Sequence, residues 1–225
     1  MKSIRVVIKI GGSLIQEAPE LINRLVKEFG SGCQRTASDK LTSEEAPFSV
    51  LIVPGGGLFA DAVRRADESF GLGNDAAHWM AILGMEQYAC YLQDKTYSMV
   101  TDSINELTCG VSILFPYRLL KEEDPLPHSW EVTSDTIAAW IAKQTGALFI
   151  KATDVDGILI EGKLCREIFT SDLPENFESC IDPALPGFLQ KNNMECLIIN
   201  GKFPERVIQA VYGKPVTCTS VKGNI

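Results

Sequence analysis

Two stretches in the first quarter of the chain are apolar at nearly every position, Ile4 to Ile10 (IRVVIKI) and Phe48 to Val53 (FSVLIV). Short runs of this kind, rich in β-branched residues and without alternation, predict strands buried on both faces, as in parallel sheets. Each run ends at glycines: Gly11-Gly12-Ser13 after the first, Pro54-Gly55-Gly56-Gly57 after the second. Helical spacing follows both times. Leu21, Ile22, Leu25, Val26 and Phe29 share one side of a helix over Glu17 to Phe29, and Phe59, Ala62, Val63 and Ala66 do so over Leu58 to Phe70. A unit of strand, glycine turn and helix therefore occurs twice. Between the two units, Gly30 to Pro47 is polar and rich in small residues, which reads as a surface insertion rather than a lid.

Further along, Asp75 to Leu92 is a long helix, apolar almost all round, which suits a core or a subunit interface. Val111 to Phe115 is expected as a strand. Lys121 to His128 (KEEDPLPH) is a proline-broken connector that divides an N-terminal lobe, 1–128, from a C-terminal lobe, 129–225. In the second lobe, Ser134 to Lys143 reads as a helix capped by Thr133 or Ser134 and closed by Gly146. Ala147 to Lys151 is a strand, Thr153 to Gly157 (TDVDG) a turn, and Ile158 to Ile160 a short strand. Pro183, Pro186 and Gly187 break up the next segment. Glu195 to Ile199 is another strand, and Pro204 suits the first position of a helix over Glu205 to Val211. Strands alternating with helices predict an α/β fold with a mainly parallel central sheet covered on both faces.

Composition narrows the function. The 225 residues carry a formal charge of −8 with no run of Lys or Arg, which argues against binding a nucleic-acid backbone. With 45% hydrophobic and 22% charged residues the chain is an ordinary globular protein. No apolar run approaches the length a bilayer needs, so a cytoplasmic protein is expected, without membrane contact. Seven cysteines at no Cys-x-x-Cys spacing read as reduced, mostly buried thiols. His78 and His128 are the two histidines and lie far apart in the chain, so no metal-ligand set is expected.

Glycines between a buried strand and a helix offer free amides and a positive helix end to an anion. Two such turns could hold a polyphosphate, or two phosphoryl groups, between them. Neither matches G-x-x-x-x-G-K-[ST] or G-x-G-x-x-G. Instead Lys9 precedes the first glycine pair by two residues, in a strand that should be dry. It either snorkels at an edge or lies against bound phosphate oxygens, where phosphoryl transfer needs fixed positive charge.

Five motifs then stand in a telling order: Lys9-Ile10-Gly11-Gly12-Ser13, Val53-Pro54-Gly55-Gly56-Gly57, Thr133-Ser134-Asp135, Thr153-Asp154-Val155-Asp156-Gly157 and Asn200-Gly201-Lys202-Phe203-Pro204-Glu205-Arg206. Together they resemble the amino acid kinase family along nearly the whole chain. The resemblance implies a three-layer αβα sandwich, an acceptor site in the N-terminal lobe and ATP in the C-terminal lobe. It also implies Mg²⁺ held mainly by ATP oxygens and water, and a homo-oligomer. Within the family, the segments Phe59 to Arg64, Ala77 to Ile82 and Trp130 to Asp135 look most like the archaeal branch serving methanofuran biosynthesis, whose acceptor is [5-(aminomethyl)furan-3-yl]methyl phosphate.

Carried over residue by residue, Lys9 resembles the lysine that neutralises the transferred phosphoryl group, and Asp135 the aspartate that orients catalytic lysines. Gly11, Gly12 and Ser13 would bind ATP phosphates, and Thr153, Asp154, Asp156 and Gly157 the nucleotide. Gly55, Gly56 and Gly57 would face the acceptor. Arg64 suits an acceptor phosphate, and Asp61 suits a substrate amine or a surface pair with Arg64. His78 and Trp79 could stack on a flat heteroaromatic acceptor or serve only the core. One departure stands out. Where several relatives carry a second catalytic lysine, this chain has Asp182 to Leu189 (DPALPGFL), leaving Lys151, Lys163, Lys191 and Lys202 as substitutes. The rival readings are a kinase of the same family with a nucleotide monophosphate, isoprenoid phosphate or carboxylate acceptor, and a non-catalytic nucleotide-binding or storage protein.

Overall fold

The computed structural model describes residues 4–30, 48–105, 107–173 and 180–223. The polar stretch Gly30 to Pro47, apart from Gly30, and with it Cys33, lies outside the described residues. In chain order the elements are β1 (Ile4–Ile10), α1 (Ala18–Phe29), β2 (Phe48–Pro54), α2 (Gly57–Phe70), α3 (Asn74–Lys95), β3 (Met99–Thr101), β4 (Gly110–Leu114), α4 (Pro116–Glu123) and α5 (Ser134–Thr145). They continue with β5 (Leu148–Thr153), β6 (Leu159–Ile160), β7 (Lys163–Leu164), β8 (Glu167–Phe169), α6 (Ala184–Asn192), β9 (Glu195–Asn200), α7 (Pro204–Val211) and β10 (Thr219–Lys222).

Eight strands form one sheet in the order β3-β4-β2-β1-β5-β9-β10-β8, parallel at every step except β9 to β10. Strands β6 and β7 make a separate antiparallel pair. From Val6 in β1 and Ser49 in β2 onward the runs are buried, because helices cover both faces. Alternation decides which face each residue serves. Val6, Ile8 and Ile10 join Leu21, Ile22 and Leu25 of α1 and Val207 of α7 in one core. Val7, Leu51, Val53 and Phe149 pack with α5 and α6 in the other. The result is the expected three-layer sandwich.

Several expectations need correcting. Helix α4 absorbs the first part of the supposed connector, since Pro116 opens a helix without losing an amide that had a partner. Pro183, Pro186 and Gly187 do not abolish structure either: Pro186 lies in the first turn of α6, where backbone amides have no intrahelical partner. Thr153 ends β5 rather than opening a turn. The thiols are free, as expected, but they are not mostly buried. Among the described residues Cys196 is buried, Cys165, Cys180 and Cys218 are half-buried, and Cys90 and Cys109 are exposed. Helix α3 is apolar all round yet only partly covered, with Met80 at 37% and Leu83 at 41% exposure.

Candidate active site

Lys9 on β1 and Lys151 on β5 face each other in register across two parallel strands. Odd positions of β1 and β5 point toward α5, so both ammonium groups run along the same buried face. Asp135, in the first turn of α5, meets them there. Its Oδ1 lies 2.8 Å from Lys9 Nζ, and its two oxygens lie 2.6 and 2.7 Å from Lys151 Nζ. All three residues are buried. Of the four substitutes for the absent second lysine, Lys151 is the one this geometry brings to Asp135.

One carboxylate between two ammonium groups leaves a net positive charge in a dry site. Burial opposes the Lys9 charge, and neighbouring Lys151 adds to it; Asp135 only partly compensates, so its pKa falls to about 8. For Lys151 burial works in the same direction, but the closer, two-oxygen contact with Asp135 outweighs it and raises the pKa. Asp135 is itself disfavoured by burial, yet the two cations hold its carboxyl down at about 2.

The start of α5 is fixed from outside the helix. Thr133 is the N-cap, accepting weakly from the Asp135 amide at 3.5 Å. Buried Asp182 supplies the stronger support: its carboxylate accepts from the amides of Thr133, Thr136 and Leu185 and from both threonine hydroxyls at 2.6 to 3.0 Å. The Asp182 amide in turn donates to Asp135 Oδ2 at 3.1 Å. The segment that lacks the second lysine therefore positions the carboxylate that holds the two lysines present. A lone Asp-Pro carries no sequence signal for such a role.

The two glycine turns lie against each other. A Cβ on Gly12 would overlap the Cα of Gly57, and a Cβ on Gly11 would stand 3.7 Å from Lys9 Nζ and 3.5 Å from Ser13 Oγ. Bare backbone at Gly12 is what allows the turns to close. Beside them opens a cavity of about 560 Å³, lined at one end by Gly12, Ser13, Gly56, Gly57, Thr133 and Ser134. The amino ends of α2 and α5 thus look into it, a setting that favours anions.

The far end of the cavity contains Asp61, Arg64, Asn74, His78 and Trp130. Of the residues expected at the acceptor, Gly56, Gly57, Asp61, Arg64 and His78 line it. Gly55 and Trp79 do not. Gly55 is bound to the C-terminal end of β1 through its amide, which donates to Ile10 O at 2.8 Å. Trp79 turns away, its ring under the Lys121 ammonium at 3.9 Å and edge-on to Tyr117. The aromatic face lining this end is Trp130, which sequence reading did not single out. Its indole donates to Asp67 Oδ2 at 2.6 Å, and the Arg64 guanidinium lies 4.4 Å over its ring. Arg64 thus packs on Trp130 rather than pairing with Asp61.

On the other side of the lysines, partial burial opposes the Asp154 charge, but a hydrogen bond from Ser13 and the nearby Lys202 hold its carboxyl below the ordinary value. Asp156 has a different engagement, accepting from Asn200 Nδ2 at 3.0 Å and from Arg206 at 2.7 Å. Gly157, at φ +146°, lies where a side chain would overlap Thr219. The nucleotide-turn motif therefore divides: Asp154 and Ser13 form an open polar edge, while Asp156 and Gly157 tie the turn to β9, α7 and β10.

The two histidines, distant in the chain, stack with centroids 4.0 Å apart and planes inclined by 18°. Burial, with His128 alongside, lowers the His78 pKa to about 4. His128 is raised instead by hydrogen bonds to Asp75 and Asp124.

Residues 5–102 match the sequence profile described as the amino acid kinase family. Over 226 residues the chain is 32% identical to the [5-(aminomethyl)furan-3-yl]methyl phosphate kinase of Methanocaldococcus jannaschii, covering 96% of this chain and 97% of that one. Among solved structures, the uridylate kinase of Archaeoglobus fulgidus superposes with a TM-score of 0.67 at 19% identity, covering 97% of this chain and all of that one. The UMP kinase of Ureaplasma parvum gives 0.66 at 18%, covering 99% and 100%. At that identity these two bear on the fold alone.

Proposed function

Since this chain belongs to the amino acid kinase family, and is a phosphotransferase as that membership and its curated relative indicate, we propose that it transfers the γ-phosphoryl group of ATP to [5-(aminomethyl)furan-3-yl]methyl phosphate, giving the diphosphate used in methanofuran biosynthesis. The observation that carries the reading is the buried Lys9-Asp135-Lys151 group beside the glycine turns. An excess positive charge fixed in a dry site stabilises charge that shifts between oxygens during transfer, without reorganising at that moment.

In this reading 1–128 forms the acceptor lobe and 129–225 the ATP lobe. The Gly11, Gly12 and Ser13 backbone holds ATP phosphates, and Lys9 and Lys151 neutralise the moving group. Asp135 positions both lysines and touches neither substrate. Asp154 and Thr153 face the nucleotide, while Asp156 and Gly157 act through the turn they stabilise. The acceptor phosphate is ionised at neutral pH and needs no general base, which suits a floor made of cations. Arg64 meets that phosphate, Asp61 the aminomethyl group, and Trp130 and His78 flank the furan. Gly55 and Trp79 act indirectly, by seating the glycine turn and backing His78.

Mg²⁺ supplies charge neutralisation on the phosphates when bound. The lysine floor repels a bare dication, and among the described residues the one ligand-like cluster, His78, Asp124 and His128, lies at the other wall. The ion therefore arrives on ATP oxygens. A homo-oligomer belongs to the same reading, supported by exposed Ala76, Met80, Leu83, Gln87 and Cys90 at helical spacing along α3. So does a cytoplasmic location; no helix among the described residues is long and apolar enough to cross a membrane.

The test is ADP release with ATP and a panel of acceptors: the aminomethylfuran phosphate, its analogue lacking the amine, uridine monophosphate, isopentenyl phosphate and carboxylates. The aminomethylfuran phosphate should give the highest kcat/KM, and Asp61→Ala should erase its advantage over the amine-free analogue. Preference for uridine monophosphate or isopentenyl phosphate would overturn the acceptor and leave the family membership standing.

A further inference from the structure

We propose that His78, His128 and Asp124 form a binding site for a divalent transition metal such as zinc, joined to the cavity through His78. The inference does not depend on the acceptor assigned above. Among the described residues these three are the one group of His, Cys, Asp or Glu whose ligating atoms all lie within 4.8 Å of one another. Four-coordinate zinc holds donors about 2.0–2.2 Å away, hence about 3.5 Å apart, so the group closes by roughly an ångström. Asp124 Oδ1 is already 2.9 Å from His128 Nε2, so the distance to close is that to His78.

Each ring nitrogen of His128 meets a carboxylate. His128 Nδ1 lies 2.6 Å from Asp75 Oδ1, and its Nε2 lies 2.9 Å from Asp124 Oδ1. Both contacts are to carboxylates, which only accept, so without a metal each ring nitrogen donates; with Nδ1–H kept on Asp75, loss of the Nε2 proton frees a lone pair for a metal beside Asp124. A carboxylate behind a ligating histidine is the usual support for this tautomer. A metal would replace the proton now shared between Nε2 and Asp124. The Lys121 ammonium rests on the neighbouring Trp79 ring.

Two imidazoles and one carboxylate select zinc, cobalt, nickel or copper over magnesium or calcium, which prefer oxygen. Three protein ligands also leave a fourth position open. Of the three ligands His78 lines the cavity, with Asp61 and Asn74, while Asp124 and His128 lie behind it. Coordination would join α3 to the connector that carries Ser129, Trp130 and Val132 to the cavity.

The experiment is a Co²⁺ titration of the metal-free full chain, followed by visible absorption. One equivalent should produce the d–d band of a four-coordinate nitrogen and oxygen site, removed by Zn²⁺, without the near-ultraviolet thiolate-to-cobalt band that cysteine ligation produces. His78→Ala and His128→Ala should each abolish the band, and Asp75→Asn should weaken Co²⁺ binding about 10- to 100-fold. Should a histidine variant fail to fold, Asp124→Asn provides the same reading at an exposed position, with at least tenfold weaker binding expected. No band at stoichiometric Co²⁺, a thiolate band, or a band unchanged in Asp124→Asn and the folded histidine variants would overturn the site.

Discussion

Lys9 and Lys151 stand on adjacent strands in fixed register, whereas Arg64, His78 and Trp130 reach the cavity from two helices and a connector. The first group is positioned by backbone hydrogen bonds that also hold the sheet together, so its geometry can change only if the core does. The second is positioned by side-chain contacts: a guanidinium on an indole, an indole on Asp67, two stacked imidazoles. In the proposed reading, charge that must not reorganise during a reaction is placed in the core, and recognition that must suit one acceptor is placed on its rim. The contrast makes the floor costly to alter and the wall comparatively tolerant.

The sharpest way to break this division is at the floor. Lys9→Met and Lys151→Met each leave one lysine paired with Asp135, so both should fold, yet each should lower kcat about 10²- to 10³-fold while ATP binding changes only modestly. Single-turnover transfer together with equilibrium nucleotide binding checks this. Equal activity in the Lys151 variant would reduce it to a structural ion pair. Of similar size in free energy is Asp135→Asn, which leaves two buried ammonium groups without their counter-ion. A loss of about 3–5 kcal/mol in unfolding free energy is expected, read by denaturant titration. The corresponding pH dependence has a definite sign: because the Asp135 carboxyl is held near 2, below its ordinary 3.8, its contribution is present above 3.8 and is lost as pH falls through that interval.

A smaller effect concerns Lys9, whose pKa of about 8 lies below the ordinary 10.5. Its ammonium is lost from the free enzyme as pH rises through 8, so kcat/KM for ATP should fall along that limb. Bound phosphates restore the charge, so the limb in kcat should lie at higher pH. Coincident limbs would show that Lys9 does not meet the nucleotide. The smallest change belongs to the wall. Trp130→Phe keeps a ring but loses the bond to Asp67, and should raise KM for the acceptor several-fold, about 1 kcal/mol, with kcat and KM for ATP little changed.

What the chain disclosed in advance follows the same division. The strands β1, β2, β5 and β9, the glycine turns and the Thr133 cap were legible because each depends on local pattern or on one residue type at one turn. Lys151 was visible only as one of four candidates. Its role comes from the register of β5 on β1, which pairs residues far apart in sequence. Asp182 and Trp130 were not legible, since their partners, Thr133 and Thr136 for one and Asp67 for the other, are brought together by tertiary packing. The histidine pair arises in the same way, through α4 ending where it brings His128 onto α3. Helix α6 was missed for a local reason, because Pro186 was read as a breaker where a first-turn position tolerates it, and the end of α4 because Pro125 and Pro127 were taken to break the whole of Lys121 to His128.

The most direct test of the phosphotransfer chemistry is ³¹P NMR of the purified protein with Mg·ATP and the aminomethylfuran phosphate. Two mutually coupled diphosphate doublets should grow as the acceptor singlet disappears and ADP accumulates, and the Lys9→Met protein should leave the spectrum almost unchanged. Inorganic phosphate and ADP as the only new species, or ATP and acceptor both intact after prolonged incubation, would contradict the account.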